Sequence, residues 1–131
     1  MSHSPRVLVV DDDENIVRAF RSFLKKEQCL MDGASNAEEA FSKLNRTEYG
    51  LIITDIRMEG QSGETLSLRI KHHHPEIPII VITGYPDLIS EEEVKKLGAD
   101  YFFIKPLDLN ELRKALRKSL RLNHISSHEE S

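Results

Sequence analysis

The sequence predicts an α/β fold: a doubly wound parallel sheet assembled from five successive strand–helix units, (βα)5. Three observations predict it. Short apolar runs alternate with amphipathic segments along the chain, and such alternation argues for a parallel sheet with helices on both faces. Three of the runs are nearly continuous Val, Ile and Leu, as strands buried on both faces require. The runs end in acidic, hydroxyl or basic residues, and sites of doubly wound sheets form outside the carboxyl ends of the strands.

The first strand is RVLVV (Arg6–Val10), and it runs into Asp11, Asp12 and Asp13. Ile16, Phe20, Phe23 and Leu24 then recur at helical spacing. Asp13 starts that helix, its carboxylate accepting from the N–H of Asn15 or Ile16. The second strand is the weakest, around CLMDGA (Cys29–Ala34). Ala37, Ala40, Phe41 and Leu44 follow on a helix with Asn36 as its N-cap. GLIIT (Gly50–Thr54) is the third strand and delivers Asp55, before a helix over about Gly63 to His73. PIIVIT (Pro78–Thr83) is the fourth and ends at Thr83–Gly84. The helix after it covers about Ser90 to Leu97 and is stopped by Gly98. YFFIK (Tyr101–Lys105) is the fifth strand and ends at Lys105–Pro106. The last helix starts at Asp108 and carries Leu109, Leu112, Leu116 and Leu120. Residues 1–122 form one domain, and residues 123–131 (NHISSHEES) form a polar tail without periodicity, expected to be frayed and disordered.

The 131 residues have a net charge of −4. A mildly acidic domain of this size has no overall pull toward nucleic acid or anionic membrane. The lone Cys29 excludes an internal disulfide and suits a reducing compartment. No apolar run approaches the roughly 20 residues of a membrane-spanning helix, and MSHSPR has no signal-peptide character. The expectation is a soluble, cytoplasmic protein.

For the strand order 2-1-3-4-5, the switch point lies between strands 1 and 3. Asp11 and Asp12 then share an edge with Asp55, and Thr83 and Lys105 join them from the next two strands. Two unit charges about 4 Å apart repel by about 4 kcal/mol at an effective dielectric of 20, so the carboxylates need a cation or a proton. Oxygen ligands with no Cys and no nearby His favour a hard cation, Mg²⁺ ahead of Zn²⁺. A strand-end carboxylate can also attack phosphorus to give an aspartyl phosphate. The equatorial oxygens would then need neutralising groups, which Mg²⁺, Lys105 and Thr83 or a backbone N–H can supply. Taken singly, each of these residues reads equally as a cap, a strand-end hydroxyl or a surface charge. Their common edge is what gives them a chemistry.

At these residues the chain resembles the receiver domain of bacterial two-component response regulators. The matching pieces are VLVVDDDEN, LIITDIRM with Gly63 further on, IIVITGYPD and GADYFFIKP, in order and spacing over about Arg6 to Leu122. The resemblance implies a flavodoxin-like fold. It makes Asp55 the phosphoacceptor, fed by a sensor histidine kinase, a phosphotransfer protein or a small acyl phosphate. It places Mg²⁺, with Mn²⁺ as a substitute, on Asp11, Asp12, Asp55 and the Arg57 backbone carbonyl. Thr83 and Lys105 would bind the phosphoryl group, and the Lys105–Pro106 bond would be cis. Phe102 falls where many relatives carry a switch Tyr. Its repacking would bias the face of the fourth helix, fifth strand and fifth helix, the surface for partners or a homodimer. Such a domain is a switch and not a turnover enzyme. Glu59 replaces a common Pro, Phe102 lacks the hydroxyl, and Arg57 and Tyr85 stand at variable positions. Tyr85 is expected to shield the phosphoryl group from water.

Other readings meet obstacles. A phosphohydrolase with an aspartate nucleophile usually wants an acid where Arg57 stands. A flavin or nucleotide carrier needs a Gly/Ser/Thr-rich phosphate cradle after the first strand, and DDDEN would repel phosphate. A partner-binding pseudo-receiver has no need of Asp12, Asp55, Thr83 and Lys105 together. His72, His73 and His74 are neighbours on a helix, point in different directions and chelate poorly. Arg113, Lys114, Arg117, Lys118 and Arg121 read as a solvated basic face with no recognition helix after it.

Overall fold

The structure, a computed structural model, describes residues 4–55, 63–84, 90–96 and 98–128. Five strands and five helices alternate: β1 (Arg6–Val10), α1 (Glu14–Lys26), β2 (Leu30–Ala34), α2 (Ala37–Leu44), β3 (Leu51–Asp55), α3 (Gly63–His73), β4 (Ile79–Thr83), α4 (Glu91–Lys96), β5 (Tyr101–Ile104) and α5 (Leu109–His128). The sheet is parallel throughout, in the order β2-β1-β3-β4-β5.

Side chains alternate across a strand, so each apolar run feeds two cores. Val7, Val9, Leu51, Ile53, Ile80 and Ile82 face α1 and α5, where Phe20, Leu24, Leu112 and Leu116 meet them. Leu8, Val10, Ile52, Ile79 and Val81 face α2, α3 and α4, against Ala40, Leu66, Ile70 and Val94. The central strands β3 and β4 are buried at every residue. The doubly wound reading therefore holds, with two helices on one face and three on the other.

Helix ends follow the polar residues. Asp13 Oδ1 accepts from the Asn15 N–H at 2.9 Å, Asn36 Oδ1 from the Glu39 N–H at 2.8 Å, and Asp108 Oδ1 from the N–H groups of Asn110 and Glu111 at 3.0 and 3.2 Å. Ser90 and Glu93 form a reciprocal capping box, each accepting at 3.2 Å from the other's N–H. Gly98 adopts φ +101°, and a Cβ there would come within 2.3 Å of Lys71 Cγ. The backbone of α5 is helical to His128. The turn after α1 uses Gln28 at φ +61°, where glycine is the usual residue. Relieving that left-handed conformation with Gln28→Gly should raise stability by about 0.5–1 kcal/mol, read as a higher urea midpoint at unchanged slope.

Candidate functional site

The parallel sheet places the ends of β1, β3, β4 and β5 at one edge. Asp11 leaves β1 buried, at 2% exposure, its N–H donating to the Ala34 carbonyl at 3.0 Å. Asp55 ends β3 at 7% exposure, and the Thr54 hydroxyl donates to the Asp55 carbonyl at 3.0 Å. Thr83 ends β4 fully buried, and its carbonyl accepts from the Lys105 N–H at 2.7 Å. The Lys105–Pro106 bond is cis.

Lys105 connects these groups. Its ammonium donates to Asp55 Oδ2 at 2.9 Å and lies 3.7 Å from Asp11 Oδ2. Asp11 Oδ1 accepts from the Asp13 N–H at 2.9 Å. Asp11 Oδ2 is buried with no hydrogen-bond partner. One ammonium thus serves two carboxylates and bonds one of them. Burial is the largest influence on Asp11; it and the charge of Asp55 push the carboxyl up to about 6 against the pull of the Asp13 N–H and of Lys105. Burial disfavours the charge on Lys105, but the hydrogen bond and charge of Asp55 outweigh it and raise its pKa.

Asp12 is exposed at the rim of the site. Phe102 is half-buried and packs against the core under α2, α3 and α4. Arg57 and Tyr85 lie outside the described residues. Among the described residues, no group of three or more His, Cys, Asp or Glu side chains is gathered as for a metal ion; the cation nearest Asp11 and Asp55 is Lys105. That statement covers the histidine triplet, where His73 instead meets the Phe41 ring edge-on at 6.5 Å. On the basic face of α5, Arg113 and Arg117 donate to the Glu27 carboxylate at 2.8 and 3.0 Å; Lys114, Arg117 and Lys118 are exposed and Arg113 is half-buried. Sequence reasoning missed Thr54 and the Asp13 N–H, which fix the backbone and carboxylate of the two buried acids. The only signal for either was adjacency to an aspartate.

The order of the sheet and the acids, hydroxyl and lysine at its carboxyl edge define a receiver-type switch domain. The chain belongs to the response regulator receiver domain family, whose family model matches residues 7–117. It is 33% identical over 124 residues to the response regulator protein PilR of Pseudomonas aeruginosa, covering 95% of this chain and 28% of PilR. It is 32% identical over 116 residues to the response regulator protein TodT of Pseudomonas putida, covering 88% of this chain and 51% of TodT. The chain therefore spans about half or less of these relatives. Among solved structures, a response regulator receiver protein from Pseudomonas putida matches with TM-score 0.83 and 36% identity, covering 90% of this chain and 99% of that one. A CheY-like receiver domain from Methanospirillum hungatei JF-1 matches with TM-score 0.86 and 25% identity, covering 95% and 99%.

The raised pKa of Asp11 has a sign. The folded protein holds this proton more tightly than the unfolded chain, whose carboxyl titrates near 3.8. The contribution of Asp11 to stability is therefore lost as pH rises from about 4 through about 6. Asp11→Asn removes that loss. In EDTA it should be more stable than wild type by about 1–3 kcal/mol at about pH 7.5, with the gain fading near pH 4. Urea titrations at the two pH values check this.

Proposed function

We propose that this domain is a phosphoacceptor switch, in which Asp55 takes a phosphoryl group from a sensor histidine kinase, a phosphotransfer protein or a small acyl phosphate. A carboxylate oxygen of Asp55 attacks phosphorus, the bond to the donor nitrogen or acyl oxygen breaks, and the donor leaves with the electron pair. The observation that carries this reading is the 2.9 Å bond from Lys105 Nζ to Asp55 Oδ2, beside the strand-end Thr83. That ammonium is positioned to pass from the carboxylate to an equatorial phosphoryl oxygen, and Thr83 offers a hydroxyl to another.

The donor set fits a hard divalent cation. Asp11 Oδ2 is a buried carboxylate oxygen without a hydrogen bond, and the carboxylates of Asp11 and Asp55 offer the oxygen ligands that such an ion prefers. Asp11, Asp12, Asp55 and the Arg57 carbonyl would hold Mg²⁺, or Mn²⁺ in its place. When bound, the ion supplies the second positive charge for the transferring group. The state of Asp55 is then read through Phe102 at the α4–β5–α5 face by an output domain, a partner or a second copy. The domain assists its own phosphorylation and hydrolysis without being a turnover enzyme. Among the described residues no helix is long and apolar enough to cross a membrane, which suits a cytoplasmic place in the pathway.

Incubation with acetyl phosphate and Mg²⁺ should add about 80 Da, one phosphoryl group, to the intact mass. Asp55→Asn and Asp12→Ala should abolish the adduct, Asp11→Ala should weaken it, and Asp13→Ala should keep it while losing about 1 kcal/mol of helix-cap stability. Absence of the adduct with every phosphodonor would contradict the proposal and favour a partner-binding pseudo-receiver. In a separate decay measurement, Tyr85→Ala should lose phosphate faster than wild type if Tyr85 shields the site.

A further inference from the structure

Helix α4 is attached to the domain unevenly. It has six residues, and Val94 is the one that is buried. In a strand–helix–strand unit the helix runs against the strands. α4 therefore begins at the sheet edge that carries Asp55 and Thr83, and ends at the opposite edge. Among the described residues, the side-chain hydrogen bonds and ion pairs of α4 are internal. Ser90 and Glu93 cap its start, each accepting from the other's N–H, and Lys95 meets Glu91 one turn back at 2.9 Å. Such bracing stiffens the helix without fastening it to its neighbours.

The far end is fastened to several elements at once. Lys71, on α3, donates to the Ile77 carbonyl at 2.9 Å, just before β4, and its Nζ lies 3.4 Å from Asp100 Oδ2. That same oxygen accepts from the Ile79 N–H at 2.9 Å, and the Asp100 N–H donates to the Ile79 carbonyl at 2.8 Å. The N–H groups of Gly98 and Ala99 donate back to the Lys95 and Val94 carbonyls, so this turn is continuous with the end of α4. Gly98, at φ +101°, leaves the space that the Lys71 stem fills. Lys71 thus ties α3, the start of β4 and the turn from α4 into β5 into one joint.

We propose that the joint of Lys71, Gly98 and Asp100 is the pivot on which α4 swings as a rigid unit, its start moving and its end held. The proposal rests on the phosphoacceptor reading for what drives the swing, the change at Asp55 and Thr83 beside the loose end. A short braced helix with one buried side chain opens locally at low cost, and an end bonded to several elements does not. Val94 and Ala99 belong to the core cluster against which Phe102 packs. Movement of Val94 about a fixed Ala99 therefore changes the packing of Phe102 and carries the signal to the α4–β5–α5 face. Lys71 is a positioning residue, at the edge opposite to the phosphoryl group.

Lys71→Met in the full chain keeps the stem against Gly98 and removes the ammonium. Amide exchange of the unphosphorylated protein reads the pivot alone. In wild type the Ala99 and Asp100 amides should exchange about tenfold or more slowly than that of Val94, and Lys71→Met should remove this difference while the amides of β3 change less. After acetyl phosphate and Mg²⁺, exchange in wild type should change at Glu93 and Val94 and stay constant at Ala99 and Asp100; in Lys71→Met the change should spread to both. Wild-type Ala99 and Asp100 amides that exchange as fast as Val94, or that shift with it on phosphorylation, would overturn the proposal. So would a Lys71→Met variant that exchanges as wild type does. A chain that takes no phosphate defeats the phosphoacceptor reading instead, and the unphosphorylated comparison still decides the pivot. Should circular dichroism show Lys71→Met unfolded, Asp100→Asn keeps an oxygen for the Ile79 N–H, loses the charge facing Lys71 and is judged by the same outcomes.

Discussion

The structure turns on one contact: among the described residues, the buried carboxylates of Asp11 and Asp55 face the same ammonium, that of Lys105. Lys105 bonds Asp55 at 2.9 Å and stands 3.7 Å from Asp11. Two unit charges at about 4 Å interact by about 4 kcal/mol at an effective dielectric of 20, so the arrangement is held together by Lys105. Asp11 Oδ2 has an ion-pair neighbour but no hydrogen bond, and burial together with the charge of Asp55 raises the Asp11 pKa. In the proposed function, a divalent cation at this edge would supply further positive charge for a phosphoryl group.

The parallel sheet creates this contact. Strand direction sends every carboxyl end to one edge, and the pairing of β1 with β3 sets Asp11 beside Asp55. Their backbones are fixed independently, Asp11 through Ala34 and Asp55 through the Thr54 hydroxyl. The acids therefore do not separate to relieve their repulsion. Lys105 comes from β5, two strands from β3, and is anchored through the Thr83 carbonyl. In this sense the core strands hold the site under electrostatic load.

Much of this was legible in the sequence because parallel strands buried on both faces read as unbroken Val/Ile/Leu runs, and three of them end in a charged or hydroxyl group. Asn36, Asp108 and Asp13 were legible as caps because a short polar side chain before a periodic segment has one main use. Other features had no local signal. Gln28 at φ +61° follows from how α1 must turn into β2, and nothing in its own chemistry announces it. The grip of Glu27 on Arg113 and Arg117 joins residues far apart in sequence, and nothing local announces it.

The charge balance at this contact can be measured directly by ¹³C NMR titration of the Asp11 carboxyl in metal-free protein. The account predicts a midpoint near 6, as the raised Asp11 pKa requires. It predicts a further rise in Lys105→Met, which removes the ammonium 3.7 Å from Asp11 Oδ2, and a fall when Mg²⁺ is added. A midpoint near the ordinary aspartate value of about 3.9, indifferent both to Lys105→Met and to Mg²⁺, would contradict it.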